Sequence, residues 1–167
     1  MKKVLVFSAI CLAFSVCVAG VAQKNTSTTK AIDNKSEAYV DMGLPSGTLW
    51  KVGNEFGMYD YEAATTRFEG KLPTYAQFRE LWRKCKWVWL GNGYRVTGPN
   101  GNSIVLPTTG KRDCEGNESN FNLEGWYWSC TTVGDGAKRL FLSLGHVDLG
   151  KEKKCMGMCV RLVKNGK

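Results

Sequence analysis

Two hydrophobic periods meet inside residues 72–89, LPTYAQFRELWRKCKWVW. Phe78, Leu81, Trp82 and Cys85 recur at helical spacing and form one apolar stripe, while Gln77, Arg79, Glu80, Arg83 and Lys84 fall on a solvated face. Thr74, directly after Pro73, is placed to cap this helix with its hydroxyl, and Gln77 is placed to reach back to the Thr74 amide. The spacing therefore predicts a helix starting at Thr74 whose stripe seals a core. Beyond Cys85 the period falls to two. Residues 87–90, 94–97 and 103–107 read as three short strands joined by Gly/Asn turns. Residues 125–132, 139–144, 145–149 and 156–163 read as further strands, and 109–122 as a polar loop. Upstream, residues 39–44 and 48–52 flank a Pro45-Ser46-Gly47 turn and suggest a hairpin, and 59–68 suggest a short helix or turn ended by Gly70.

Residues 1–22 carry Lys2 and Lys3, then an apolar run, then Gly20-Val21-Ala22, the layout of a cleaved secretory signal. Residues 23–37, QKNTSTTKAIDNKSE, have no apolar periodicity and read as a flexible polar leader, leaving 38–165 as a single domain. Loss of Lys2 and Lys3 lowers the formal charge from +8 to +6. The basic residues are scattered, without a stripe interleaved with stacking aromatics, which argues against nucleic acid as a partner. After cleavage no transmembrane anchor is expected, and location is periplasmic, cell-surface or extracellular. Five cysteines remain, Cys85, Cys114, Cys130, Cys155 and Cys159. In an oxidising compartment an odd count implies two bridges and one free thiol.

Candidate chemistry is sparse. His146 is the only histidine, and no serine or cysteine has a visible base partner, so no catalytic residue is assigned. Asp113, Glu115, Asn117, Glu118 and Asn120 gather oxygen donors in one loop, and Asp113, Glu115 and Glu118 are candidate ligands for calcium. Cys155-Met156-Gly157-Met158-Cys159 offers soft sulfur of the kind copper(I) selects. Trp87 with Trp89 and Trp126 with Trp128 are same-face pairs, read as core rather than as exposed stacking platforms.

Taken in order, residues 39–50 (YVDMGLPSGTLW), 72–85, 93–106 (GYRVTGPNGNSIVL), 125–131 (GWYWSCT), 140–147 and 157–163 (GMCVRLV) resemble the Fibrobacter succinogenes major paralogous domain family of exported Bacteroidetes-type proteins, which is similar to the C-type-lectin-like fold. The resemblance implies an α+β architecture with one or two helices packed on small, twisted, mainly antiparallel sheets, the chain ends close together, and long loops bearing any binding surface. The family's function is largely uncharacterised, and the reading adopted here is a non-enzymatic binding or surface-interaction module for a carbohydrate or protein ligand, through loops 109–124, 134–138 and 145–154. The candidate ligand contacts are Asn117, Asn120, Trp126, Lys138, His146 and Asp148. Cys130 and Cys159 stand where the family usually has serine, which suggests a Cys130–Cys159 bridge, with Cys114–Cys155 as a second pairing and Cys85 as the free thiol on the buried helix face. Leu162 replaces a frequent proline, and residues 56–72 are shorter than usual. Two other roles are carried forward. One is a thiol or copper enzyme of the formylglycine-generating, sulfatase-modifying kind; the other is a structural component of a surface assembly.

Overall fold

The computed structural model describes residues 38–166; the signal and leader expected at 1–22 and 23–37 lie outside the described residues. The first hairpin forms from β1 (Tyr39–Asp41) and β2 (Thr48–Lys51), and β11 (Val163–Asn165) adds to the other edge of β2. Register places Val40 and Val163 on either side of Trp50, so the first and last described strands share one sheet. Two helices follow β2. The first, α1 (Tyr61–Arg67), is capped by Asp60, whose side chain accepts from the Ala63 amide. The second, α2 (Tyr75–Lys84), carries the full capping box between Thr74 and Gln77. Its stripe sends Phe78 and Leu81 into the core, at 1% and 0% exposure.

Trp82 does not follow them. It is 41% exposed, and Cys85 is half-buried, because Cys85 already caps the helix and the chain swings directly into β3 (Lys86–Trp89). β3, β4 (Gly93–Thr97) and β5 (Ser103–Pro107) form the antiparallel meander that the Gly/Asn turns suggest. Gly98 follows β4 where backbones approach closely: a Cβ there would lie 2.0 Å from the Met42 carbonyl oxygen. The 109–122 loop is not wholly irregular, since β6 (Lys111–Arg112) and β7 (Glu118–Ser119) pair within it.

A third sheet, ordered β10-β9-β8, comprises β8 (Glu124–Val133), β9 (Gly136–Ser143) and β10 (His146–Lys153). β8 is buried on both faces from Gly125 to Ser129. Tyr127 joins one apolar cluster with Trp50, Phe78, Leu81 and Leu140, whereas Trp126 and Trp128 join a second with Tyr61, Phe68 and Met158. Both tryptophan pairs therefore serve packing: Trp128 is fully buried, Trp126 is 8% exposed, and Trp87 and Trp89 are half-buried against the first cluster.

The strand expected at 156–163 takes a different form. Every residue of this segment is buried, yet only Val163 belongs to a ladder. The remainder runs as a thread whose backbone groups pair with a succession of different segments: Gly157 with Arg112, Met158 with Tyr59, Cys159 with Trp126 and Trp128, Val160 with Glu55, and Leu162 with Lys51. Satisfying buried amides from several elements leaves no single neighbouring strand to make a ladder. The architecture is thus α+β, two helices with mainly antiparallel sheets around a buried C-terminal thread.

The cysteines pair differently from the first expectation. Cys114 bonds Cys155, with Cα atoms 5.0 Å apart, while Cys85, Cys130 and Cys159 are free thiols. A Cys130–Cys159 bridge does not form. Cys130 is exposed near the bulge of β8, where its amide donates to the Pro73 carbonyl; Cys159 lies in the buried thread with its sulfur on the Thr109 hydroxyl.

Candidate functional site

Of the expected binding residues, Asn120, Asp148 and His146 are linked to Trp126 through Glu124, Arg139 and Phe141, whereas Asn117 and Lys138 have other partners. The Trp126 indole has the Lys111 ammonium 4.2 Å and the Arg139 guanidinium 4.9 Å from its ring centre, and its N–H donates to Glu124 at 2.9 Å. The same Glu124 oxygen accepts from the Asn120 amide at 2.7 Å, which steadies Asn120 in its left-handed backbone, φ 62°. Asn117 donates to the Asp113 carboxylate from both side chain and backbone. Asp148 accepts from Arg139 at 2.9 Å, Lys138 stands 5.0 Å over the Tyr75 ring, and the exposed His146 packs beside Phe141. These side chains brace loops and strands.

The Asp113 carboxyl is held below its ordinary range first by the Asn117 side chain and then by backbone donors from Asn117, Glu115 and Gly116. It organises a turn with those oxygens. Among the described residues, no three His, Cys, Asp or Glu side chains gather into a metal-sized group. The proposed sulfur pair is also broken, because Cys155 is bonded to Cys114 and leaves Cys159 alone in the core.

A different place brings together apolar side chains on a fixed frame. A cavity of about 450 Å³ is lined by residues 54–58, Pro107, Thr109, Glu118, Phe121 and Cys159. Its frame begins at Arg161, 1% exposed. The Arg161 guanidinium donates to the Asn54 side-chain oxygen at 2.8 Å, to the carbonyls of Lys51 at 2.8 Å and Val105 at 2.6 Å, and to that of Val52. Asn54 in turn donates to the Tyr127 hydroxyl, which donates to the Pro107 carbonyl at 2.5 Å. One buried cation thereby ties the segment after β2 to the end of β5. Burial lowers the Arg161 pKa from its ordinary value and raises that of Tyr127, so the phenol stays a neutral donor.

On this frame sits Phe56, 97% exposed. Its neighbourhood is pinned: the Glu55 amide donates to the Val160 carbonyl, the Tyr59 hydroxyl to the Phe56 carbonyl at 2.6 Å, and Tyr59 and Met158 exchange two backbone hydrogen bonds. Phe121, 52% exposed, comes from the other contributing segment, with Leu123 at 65% two residues on. Glu118 adds an exposed carboxylate, while Glu55 is paired with the buried Lys51 ammonium at 2.5 Å. The buried Cys159 thiol forms part of the floor, raised by burial above its ordinary pKa although the Thr109 hydrogen bond and Arg161 pull it down.

Of this groove, the sequence reading reaches Glu118, under a calcium role, and the 109–124 loop. It misses Phe56 and Arg161. The available signal is an aromatic between Asn54-Glu55 and Gly57, in a stretch with neither hydrophobic period. The concavity along α2, lined by Arg79, Glu80, Arg83 and Lys84, is by contrast a charged flank on which Glu80 is occupied by Ser46. No protein-family model, no curated protein and no solved structure matches this chain.

Proposed function

We propose that this protein is an exported, non-catalytic binding module of C-type-lectin-like fold, with its ligand seated in the groove formed by residues 54–58 and 109–121. The observation that carries this reading is Phe56, an aromatic side chain left 97% exposed on backbone that hydrogen bonds hold in place. Such a side chain gains about 1.5–3 kcal/mol when buried, and a rigid frame means little ordering entropy is lost on contact. Together with Phe121, which lines the same groove, it makes an exposed apolar surface of the sort that marks interaction sites. Export is supported by the signal-like sequence at 1–22 and by the Cys114–Cys155 disulfide, the product of an oxidising compartment. Among the described residues no helix is long and apolar enough to cross a membrane. The fold assignment is supported by β1 and β11 meeting on β2, by two helices against antiparallel sheets, and by the long loop between β5 and β8.

The test is a screen of the mature domain against immobilised glycans and proteins, with and without calcium, repeated with Phe56→Ser and Phe121→Ser. The expected outcome is a ligand whose retention drops at least about tenfold in Phe56→Ser. A ligand retained equally by both variants would remove the groove from consideration. One observation favours a second, structural role: Cys130 is an exposed free thiol able to link two copies. Disulfide-linked dimers on a non-reducing gel that vanish in Cys130→Ser would support it.

A further inference from the structure

We infer that the Cys114–Cys155 disulfide is a redox clasp on this groove: intact, it holds the 109–119 wall against the buried thread, and when a dithiol reduces it the wall moves away and bares the Cys159 thiol of the floor. This supplies a regulation for the groove proposed above and rests on that reading. Its basis is a seam between the two segments. Thr109 meets Cys159 through hydroxyl and sulfur, Arg112 and Gly157 exchange two backbone hydrogen bonds at 2.9 and 2.8 Å, and Cys114 is bonded to Cys155. Positions climb along the wall as they fall along the thread, and the Arg112–Gly157 bridge is antiparallel accordingly. Only glycine fits at 157, since a Cβ there would lie 2.8 Å from the Arg112 Nε and 2.9 Å from its Cβ. The inner end of the seam, at Cys159, is buried and lines the cavity; the outer end is the disulfide, between two exposed residues.

The way the wall is attached makes the covalent link the controlling one. Arg112 donates to the Met58 carbonyl at 3.3 Å, but beyond it the N–H and O–H hydrogen bonds of residues 113–119 stay within 111–119 among the described residues. With the disulfide open, this tip, which carries Glu118 of the lining, keeps no bond of its own to the thread. The thread depends on the same link: Met156, its first buried side chain, has its sulfur 3.7 Å from that of Cys114. A cross-link spanning 41 residues restrains the chain far more than the pair of backbone hydrogen bonds left at Arg112, for which water competes. Exposure of both cysteines lets a thiolate reach the bond. One thiolate of the dithiol attacks one sulfur, the S–S bond breaks, a mixed disulfide forms and the other cysteine leaves as thiolate. The second thiolate then attacks the reagent sulfur and departs with it as a cyclic disulfide. Cys114 and Cys155 take up two electrons and two protons, and the dithiol is oxidised.

The experiment compares the oxidised mature protein, the same protein reduced with dithiothreitol and desalted, and the double variant Cys114→Ser, Cys155→Ser, which is the open clasp without reagent. Hydrogen exchange reads the Arg112 and Gly157 amides, and N-ethylmaleimide labelling, located by peptide mass spectrometry, reads Cys159 against Cys85. In both open samples the two amides should exchange, and Cys159 should label, at least about tenfold faster than in the oxidised protein, while Cys85 keeps its rate because the opening is local. Reoxidation of the wild type should restore protection. Cys159 labelling as slow in the open samples as in the oxidised one overturns the clasp, even if the amides exchange faster. Cys159 and Cys85 accelerating together, or loss of a cooperative melt, also overturns it, since the bond is then a staple of the whole fold. In the ligand screen above, a ligand lost in Phe56→Ser yet retained after reduction removes the clasp and keeps the groove. A ligand indifferent to Phe56→Ser removes the groove, and with it the regulation, whatever Cys159 does.

Discussion

Arg161 shows how much one side chain can fix when the donors of a buried guanidinium meet carbonyls from separate segments. Replacing it with methionine keeps the stem and removes the fork, leaving the Lys51, Val52 and Val105 carbonyls and the Asn54 oxygen without their shared donor. With each buried unsatisfied group destabilising by about 1–3 kcal/mol, Arg161→Met should lower unfolding free energy by at least about 3 kcal/mol, read from urea denaturation. The three free thiols among the described residues form a graded series. Cys130 is exposed and should react first with a maleimide, whereas Cys159 should react only on unfolding. Cys85 lies between them, its thiol pushed up to about 11 by burial and then by Glu80. A pKa raised on folding means that the folded state holds this proton more tightly. The associated stability is complete below pH 9.0 and is lost as pH climbs towards 11. Melting temperature should fall across that window, and fall less steeply in Cys85→Ala.

Among elements, those built from local signals were readable in advance and those built from distant ones were not. The α2 helix announces itself because Thr74 and Gln77 cap it from within four residues and Phe78 and Leu81 mark its inner face. The β3–β5 meander follows from period-two strands and glycine turns. Trp82 shows the limit, since a residue that matches the apolar stripe can still stand at its margin once the helix stops at Cys85. The 156–163 segment has strand-like composition, but its neighbours are chosen by tertiary packing, so local pattern could not reveal that it would be a thread. The cysteine pairing was legible in part: Cys114–Cys155 forms and Cys85 is a free thiol as expected, whereas Cys130–Cys159 does not form, because connectivity depends on which loops the fold brings together. Phe56 was invisible because its significance lies in being held out of the core by Tyr59, Val160 and Arg161 contacts that arise only on folding. The Cys114–Cys155 bond fastens the β6–β7 loop, one side of the groove, to the start of the thread across a separation of 41 residues. Loop-closure entropy for that span is about 4 kcal/mol. Cys114→Ser should shift the urea midpoint accordingly, and peptide mapping of the oxidised wild type should recover Cys114 joined to Cys155 and Cys130 unlinked to Cys159.

At the level of the whole molecule, two apolar clusters share β8 as their common wall, one against α2 and the β3–β5 sheet, the other against α1 and the thread. The groove lies where the frame of the first cluster meets the thread, with Cys159 buried in that cluster and lining the cavity.

The buried thread has a consequence for how the protein is made. Its side chains complete the second cluster and its carbonyls accept from amides as early as Lys51, yet it follows the other segments of that cluster in synthesis. A nascent chain that stops short of Met156 lacks Met156, Met158, Val160 and Leu162 together, along with the guanidinium of Arg161. Its second cluster therefore stays open until translation has passed the thread, while nearly all of the first cluster is already present.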